Sequence, residues 1–356
     1  MNSSIKFTTF DKKIMVMRNF SFSAAILLLL SLIWGGCSRQ AEYQVSEGGV
    51  WNTTFRIVYR CNRPLGDSIR AVMKQVEMSL SPFNDSSAIS RINRGETTMT
   101  DSLIRRVFIM SQKINTASGG MFDPTVSPLV DLWGFGWKNT GREPQQAEID
   151  SAASLVGIGS CRLLPDGTIA KKHTATQFNF SAITKGYGVD LVAEMLHRNG
   201  CSDYLVEIGG EIAMRGTNPR GEAWRIMIDA PVSNDTSVTH SRMAVISPQN
   251  TTAETASVAT SGNYRNFRVT QAGERVWHTI DPRTGRPATS EALSATVIAP
   301  SCAIADALAT ACMAMPLTQA TEMIDSLGNG YSCLIVTSGP DSTYILHPST
   351  RFPATN

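Results

Sequence analysis

Polar and apolar positions follow two different periods along the chain, and these periods predict its secondary structure. Residues alternate over Val50–Tyr59, which is typical of a strand, whereas apolar residues recur at helical spacing from Ile69 to Leu80. The same patterns predict helices at Asp67–Leu80, Asp101–Ala117, Gln146–Val156, Ser181–Asn199, around Asp306 and at Leu317–Leu327. They predict further strands at Tyr204–Ile208, Trp224–Ile228, Arg242–Ile246, Ser294–Ala299, Ser332–Val336 and Asp341–Leu346.

Turn signals separate these elements. Ser87 is expected to cap a short helix that contains Ile89 and Ile92. A hairpin is expected around Pro165-Asp166-Gly167, and Ser261–Phe267 is typical of a polar, hairpin-like turn. Strands and helices mix without strict βαβ alternation, and the chain has no internal repeat. The sequence therefore predicts an α+β fold with mixed, mainly antiparallel sheets and packed helices.

The first residues have the features of an export signal. Basic residues up to Arg18 precede the apolar run Phe20–Ile33, which is short for a membrane-spanning helix. The run leads into Gly35-Gly36-Cys37, which resembles a bacterial lipoprotein signal with Cys37 as the lipidated residue, although Trp34 replaces the usual leucine. A plain signal peptide or an uncleaved anchor are the alternatives. We expect a signal peptide over residues 1–36, a tether over 37–49 and a domain over 50–356, in an exported, membrane-anchored lipoprotein that faces the periplasm.

Charge and cysteine content narrow the classes of function. The formal net charge is +2 without a block of like charge, so no nucleic-acid partner is expected. The six cysteines after Cys37 contain no CxxC pair and no zinc spacing. Cys302, Cys312 and Cys333 have small or apolar neighbours and are predicted to be buried thiols. An even number in an exported chain is compatible with disulfides, and the spacing assigns no pairing.

Two positions on a predicted helix and one histidine carry the candidate chemistry. Asp306 and Thr310 are four residues apart, so a helix places the carboxylate and the hydroxyl on one face. Hard oxygen ligands of this kind suit Mg²⁺. His278 precedes a loop rich in proline and glycine and titrates near neutral pH when unperturbed. Together they suggest metal-assisted transfer of a phosphate-linked group, whereas each residue alone is compatible with an ordinary structural role.

Five ordered sequence blocks resemble the ApbE-type FAD:protein FMN transferases over nearly all of the chain from Trp51 onwards. The first block is Ser81-x-Phe83-x3-Ser87-x-Ile89-Ser90-x-Ile92-Asn93, and the second is Phe122-Asp123-Pro124-Thr125 running into Leu132-Trp133-Gly134-Phe135-Gly136. The third is Ile183-x-Lys185-Gly186-Tyr187-x2-Asp190, and the fourth is Ile208-Gly209-Gly210-Glu211-Ile212. The fifth has three parts: Thr260-Ser261-Gly262-x-Tyr264, His278-x-Ile280-Asp281-Pro282-x-Thr284-Gly285-x-Pro287 and Ala305-Asp306-Ala307-Leu308-x-Thr310. No single block is specific, but the ordered set is.

The resemblance implies an activity. Enzymes of this type bind FAD with Mg²⁺, cleave its diphosphate, pass FMN to a Thr or Ser hydroxyl of a client protein and release AMP. By resemblance the client is a flavoprotein of a membrane electron-transport complex. Hydrolysis of FAD to FMN and AMP, and FAD binding without turnover by a lipoprotein, are the alternative functions.

The resemblance also implies residue roles. His278 would be the catalytic base, and Asp306, Thr310 and the backbone oxygen of Ala182 would hold Mg²⁺. Flavin contacts would fall at Trp51, Phe83, Met121, Phe122, Asp123, Asn179, Lys185 and Ile280. Two positions depart from the family pattern: Asn179 replaces a frequent aspartate, and Trp51-Asn52-Thr53 replaces Met-Gly-Thr.

Overall fold

An antiparallel sheet of eight strands carries the fold, and helices cover one of its faces. The computed structural model describes residues 41–136, 142–231, 242–247, 255–262, 267–269 and 275–355. Its strands are β1 (Glu42–Val50), β2 (Thr53–Cys61), β3 (Arg162–Leu163), β4 (Ile169–Ala170), β5 (Tyr204–Ile208), β6 (Glu211–Arg215), β7 (Ile226–Asp229), β8 (Arg242–Ile246), β9 (Ala256–Gly262), β10 (Phe267–Val269), β11 (Arg275–Trp277), β12 (Ile280–Asp281), β13 (Arg286–Pro287), β14 (Ala292–Ala299), β15 (Ser332–Ser338) and β16 (Tyr344–Pro348). Its helices are α1 (Gly66–Leu80), α2 (Ala88–Asn93), α3 (Ser102–Ala117), α4 (Ser127–Leu132), α5 (Gln146–Ala153), α6 (Ser181–Arg198), α7 (Cys302–Ala314) and α8 (Leu317–Ser326).

The main sheet has the strand order β1-β2-β5-β6-β9-β14-β15-β16. From β2 to β16 each neighbouring pair runs antiparallel. Pairs of short strands form separate hairpins, among them β7–β8 and β12–β13. The predicted α+β class with mainly antiparallel sheets is confirmed.

Helices α1, α6, α7 and α8 pack on one face of the sheet. Alternate side chains of a strand point to the same side of the sheet. In β5, Tyr204, Val206 and Ile208 therefore share one face and are buried against α1 and α6. The opposite face presents Met214, Val258 and others, and the β7–β8 hairpin covers it. The sheet is therefore the middle layer of the domain.

Helix α7 is the innermost helix. Eleven of its residues are buried, and it packs against β9, β14 and α6. Most of these residues are alanines, whose small side chains let neighbouring elements approach closely. The approach to α6 is closest at Gly186, where a Cβ atom would lie 2.3 Å from the backbone oxygen of Cys302. A residue larger than glycine does not fit there without movement of one helix.

Most predicted elements are present, with small shifts at their ends. Ser87 caps α2 as expected, because its hydroxyl accepts a hydrogen bond from the Ser90 amide. The β3–β4 pair forms the expected hairpin around residues 165–167, and β7 pairs with β8 in antiparallel register. The helix expected to reach Val156 ends at Ala153, and the strand expected at residues 341–346 begins at Tyr344.

Several predictions were wrong. Residues from Glu42 to Gly49 were assigned to a tether, but they lie in β1 at the edge of the main sheet. Ser261 and Gly262 were assigned to a turn, but they end strand β9 inside the sheet. Strand β6 and helix α4 were not predicted, because each is short and adjoins glycines or prolines.

The predicted signal peptide (residues 1–36), Cys37 and Tyr264 lie outside the described residues. Within the described part of the chain, no helix combines the length and the apolar character needed to cross a bilayer. Residues 43–356 form one compact unit.

We predict that Gly186→Ala destabilises the protein by about 1–3 kcal/mol, because the new methyl group overpacks the contact between α6 and α7. Urea unfolding followed by circular dichroism measures the change. Gly159→Ala is the control, since a Cβ atom at Gly159 meets nothing within 4 Å. If the two variants have the same free energy of unfolding, the added methyl group at residue 186 is accommodated by a movement of α6 and α7 that does not change stability.

Candidate active site

The carboxylate of Asp306 lies at the contact between α6 and α7. The residue is 4% exposed, and its Oδ2 accepts a hydrogen bond from the Gly186 amide at 3.1 Å. Ala182 is in the first turn of α6, four residues before Gly186. The hydrogen bond therefore brings Asp306 to the first turns of the helix that carries Ala182.

Thr310 follows Asp306 by one turn of α7 and is half-buried. Its hydroxyl lies 3.3 Å from that of Ser261, at the end of β9. The register of the sheet brings Ser261 opposite Ala295, in the strand pair on which α7 packs. Ser261 was missed as a site residue, because a serine in an apparent turn carries no distinguishing signal.

An ion pair joins α6 to strand β6 next to Asp306. The ammonium of Lys185 donates to Oε1 of Glu211, which is 1% exposed. Burial lowers the pKa of Lys185, but the negative charges of Asp306 and Glu211 more than offset it, so the pKa is raised. Burial raises the pKa of Asp306, and Lys185 and the Gly186 amide act against that shift. Lys185 thus stays charged between two buried carboxylates.

A third carboxylate, that of Asp190, holds the start of α7 in place. Asp190, on α6, accepts hydrogen bonds from the Ser301 hydroxyl at 2.7 Å, the Cys302 amide at 2.8 Å and the Ala303 amide at 2.9 Å. These groups begin α7, where amides have no partner within the helix, and a negative charge there is favourable. Burial nevertheless raises the pKa of Asp190. Asp190 therefore aligns the helix that carries Asp306 and Thr310.

A cavity of about 480 Å³ opens beside this group and is lined by Trp51, Phe83, Ser181, Thr184, Lys185 and neighbouring residues. Trp51 and Asn52 have φ of 49° and 60°. They form a two-residue turn between β1 and β2, in a left-handed conformation that tryptophan rarely adopts. The indole reaches Gly188, where a Cβ atom would lie 2.5 Å from Trp51 Cη2. The turn and Gly188 together hold an aromatic wall over the cavity.

A second cavity of about 390 Å³ shares the Phe83 wall and is lined also by Asn179 and Phe135. Phe83 is 61% exposed, which is unusual for a large apolar residue. The His278 ring meets Phe135 edge-on, with 6.5 Å between ring centroids. Ile280, two residues on, is buried with Leu129 and Ile149 beneath this wall. His278 thus packs against Phe135, which lines the second cavity.

Three predicted flavin contacts are buried: Met121, Phe122 and Asp123. Asp123 Oδ1 accepts from the Thr125 amide and hydroxyl, and Oδ2 accepts from the Ile158 amide at 3.0 Å. The Asp123 carboxylate therefore organises its own loop. Asn179 is half-buried, and its Oδ1 accepts from the Ser181 amide at 3.0 Å, which orders the start of α6.

The oxygen donors fit a hard divalent cation. Asp306 supplies one buried carboxylate, Thr310 a hydroxyl and Ala182 a carbonyl, which are the ligand types that Mg²⁺ accepts. No cluster of three His, Cys, Asp or Glu suited to metal binding occurs within the described ranges.

Comparison with known proteins identifies relatives over most of the chain. The sequence profile of the ApbE family matches residues 51–335. A curated FAD:protein FMN transferase of Vibrio cholerae is 34% identical over 84% of this chain and 88% of its own. The protein of that name from Haemophilus influenzae is 29% identical over 93% of this chain and 96% of its own.

Solved structures show the same fold. The flavin transferase ApbE from Vibrio cholerae has a TM-score of 0.74 and 31% identity, covering 88% of this chain and 98% of its own. The apo flavinyl transferase ApbE of Pseudomonas stutzeri has a TM-score of 0.75 and 28% identity, covering 88% of this chain and 96% of its own.

The α+β fold and these relatives identify the protein as a transferase, which confirms the predicted class. The chain belongs to the ApbE family.

We predict that Asp190→Ala destabilises the protein by about 1–3 kcal/mol for each of the two amides that it leaves without a partner. Urea unfolding gives the value. The control is Asp67→Ala in α1, whose side chain is fully exposed and should change stability little. If both variants unfold at the same urea concentration, Asp190 does not hold α7.

Proposed function

We propose that this protein transfers the FMN moiety of FAD to a Thr or Ser hydroxyl of a client flavoprotein, with Mg²⁺, and releases AMP. The observation that carries the proposal is that Lys185, which lines a cavity with Trp51 and Phe83, is next to Gly186, whose amide binds the Asp306 carboxylate. A flavin dinucleotide offers flat rings for Trp51 and Phe83 and a diphosphate for the charged group. The names of the curated relatives support this donor and product.

The charged residues account for binding of the diphosphate. Lys185 lines the first cavity and carries a full positive charge, so it attracts phosphate oxygens. When bound at Asp306, Thr310 and Ala182, Mg²⁺ would neutralise charge that develops on the diphosphate. Asp190 maintains the helix that presents two of these three groups.

His278 is the proposed general base. It takes the proton from the client hydroxyl as that oxygen bonds to the phosphorus atom on the FMN side of the diphosphate. The bond between this phosphorus and the bridging oxygen breaks, and the oxygen leaves with AMP. The packing of His278 against Phe135 supports this role, because it attaches the imidazole to the wall of the second cavity. A positioned base contributes roughly 10²–10⁴ in rate.

The site of action is also a proposal. The apolar run Phe20–Ile33 and Cys37 support an exported lipoprotein that faces the periplasm. A client in a membrane electron-transport complex would then lie on the same membrane. Its flexible acceptor segment would have to reach the cavity beside Phe83, which is open to solvent.

The test is covalent labelling of a client protein, measured as an FMN-sized mass increase in the presence of FAD and Mg²⁺. His278→Ala should lower the labelling rate by roughly 10²–10⁴ and leave FAD binding unchanged. His173→Ala is the control, since His173 is exposed. Chelation of Mg²⁺ should stop labelling by the wild type.

Each outcome has a definite meaning. Normal labelling by His278→Ala would refute the proposed base. Release of AMP from FAD at full rate without a client would identify a hydrolase instead. FAD that stays intact with Mg²⁺ and a client present would identify a binding protein without turnover.

A further inference from the structure

Glu211 is a buried carboxylate that no step above uses. It begins strand β6 directly after the Gly209-Gly210 turn and is 1% exposed. One of its oxygens pairs with Lys185, while Oε2 is buried and has no hydrogen-bond partner among the residues that the structure describes. Oε2 would lie 3.5 Å from a Cβ atom at Gly209, so the glycine turn closes over it. Burial and the nearby Asp306 carboxylate raise the pKa of Glu211 to about 8, and Lys185 acts against that shift. A buried carboxyl group with an unsatisfied oxygen is costly to the fold, so its presence calls for an explanation.

The surroundings of Lys185 indicate what Glu211 does. The Lys185 ammonium interacts electrostatically with Asp306 as well as with Glu211, so two anions compete for one cation. An ammonium that paired with Asp306 would occupy the carboxylate assigned to Mg²⁺. The ion pair that the structure contains is the other one, between Lys185 and Glu211.

We propose that Glu211 is a positioning residue: it holds the Lys185 ammonium on the wall of the cavity and thereby leaves the Asp306 carboxylate open to a divalent cation. This inference rests on the proposed function, because it takes Asp306 as a metal ligand. It assigns a role to the acidic residue of the Ile208-Gly209-Gly210-Glu211-Ile212 segment, which supplies no oxygen to the proposed metal site.

The charges support this division of roles. The Lys185 ammonium pairs with the Glu211 carboxylate, and Asp306 is a second carboxyl group close enough to interact with it electrostatically. Burial raises the pKa of both carboxyl groups, and the positive charge of Lys185 acts against that shift in each. A cation at Asp306 would favour the charged form of this carboxylate in the same way. Replacement of Glu211 by a neutral residue leaves Lys185 with Asp306 as its partner, and the attraction for a divalent cation is lost.

The test measures metal binding directly. Mn²⁺ alone is titrated into the purified protein, without a nucleotide, so that the contact between Lys185 and a diphosphate does not contribute. Free Mn²⁺ is followed by electron paramagnetic resonance. Glu211→Gln should weaken Mn²⁺ binding by about 10–100-fold, as expected for residues that support metal ligands. The matched control is Glu207→Gln in β5, which removes the same charge from the other strand of the hairpin.

A double variant separates positioning from a general loss of structure. Lys185→Met/Glu211→Gln removes both members of the pair, so Asp306 has no competitor and Mn²⁺ affinity should return to that of the wild type. Circular dichroism confirms that each variant is folded. If the double variant binds Mn²⁺ as weakly as Glu211→Gln, or if Glu211→Gln binds normally, the inference is wrong.

The same titration distinguishes failure of the proposed metal site from failure of the role proposed for Glu211. Wild-type protein should bind Mn²⁺, and Asp306→Asn should abolish the binding. If the wild type does not bind Mn²⁺, both the metal site and the role of Glu211 are refuted. If the wild type binds and Asp306→Asn does not, the metal site stands and the Glu211 variants decide the inference alone.

Discussion

The close contact between α6 and α7 at Gly186 is the constraint on which the site depends. The missing side chain lets the backbone of Cys302 approach, and this brings the Asp306 carboxylate to the Gly186 amide. Asp190 ties the same two helices together one turn along α6. Two helices that are distant in sequence thus present one group of oxygen atoms. The small residues of α7 allow this close packing, and the packing in turn places the Asp306 carboxylate at the site.

Electrostatics then shape the group that packing has assembled. Side chains from α6, β6 and α7 meet there: Glu211 and Asp306 are buried, whereas Lys185 is half-buried. Lys185 pairs with Glu211 and interacts with Asp306, and its positive charge acts against the rise in pKa that burial causes in both carboxyl groups. The cavities on either side of Phe83 provide room for a ligand with two flat ring systems, and Trp51 is held in a strained turn at one wall. A rigid charged centre between aromatic walls suits a dinucleotide.

The sequence predicted the fold class and most elements, because hydrophobic periodicity marks the long helices and the buried strands. Prediction from the sequence failed where an element is short or where its residues are typical of another kind of structure. Strand β1 is a sheet edge with polar residues and two glycines, so it resembles a linker. Strand β9 ends in Thr260-Ser261-Gly262, whose composition is typical of turns, yet pairing with β14 makes it a central strand.

For a similar reason, the sequence did not predict the contacts around the candidate site residues. The spacing of Asp306 and Thr310 shows that they share a helix face, but only the fold reveals that this face meets Gly186. Glu211, Asp190 and Phe135 stood in the recognised blocks without an assigned role. Their importance arises from contacts between elements far apart in the chain: Glu211 meets Lys185, Asp190 meets Ser301, and Phe135 meets His278. Local patterns carry no information about such contacts.

Anomalous X-ray scattering from a crystal grown with Mn²⁺ and ADP would locate the divalent cation. We expect a manganese peak within coordination distance of the Asp306 carboxylate and the Thr310 hydroxyl, with the ADP diphosphate beside Lys185. A manganese ion bound elsewhere, with Asp306 still paired only to protein groups, would rule out this metal site.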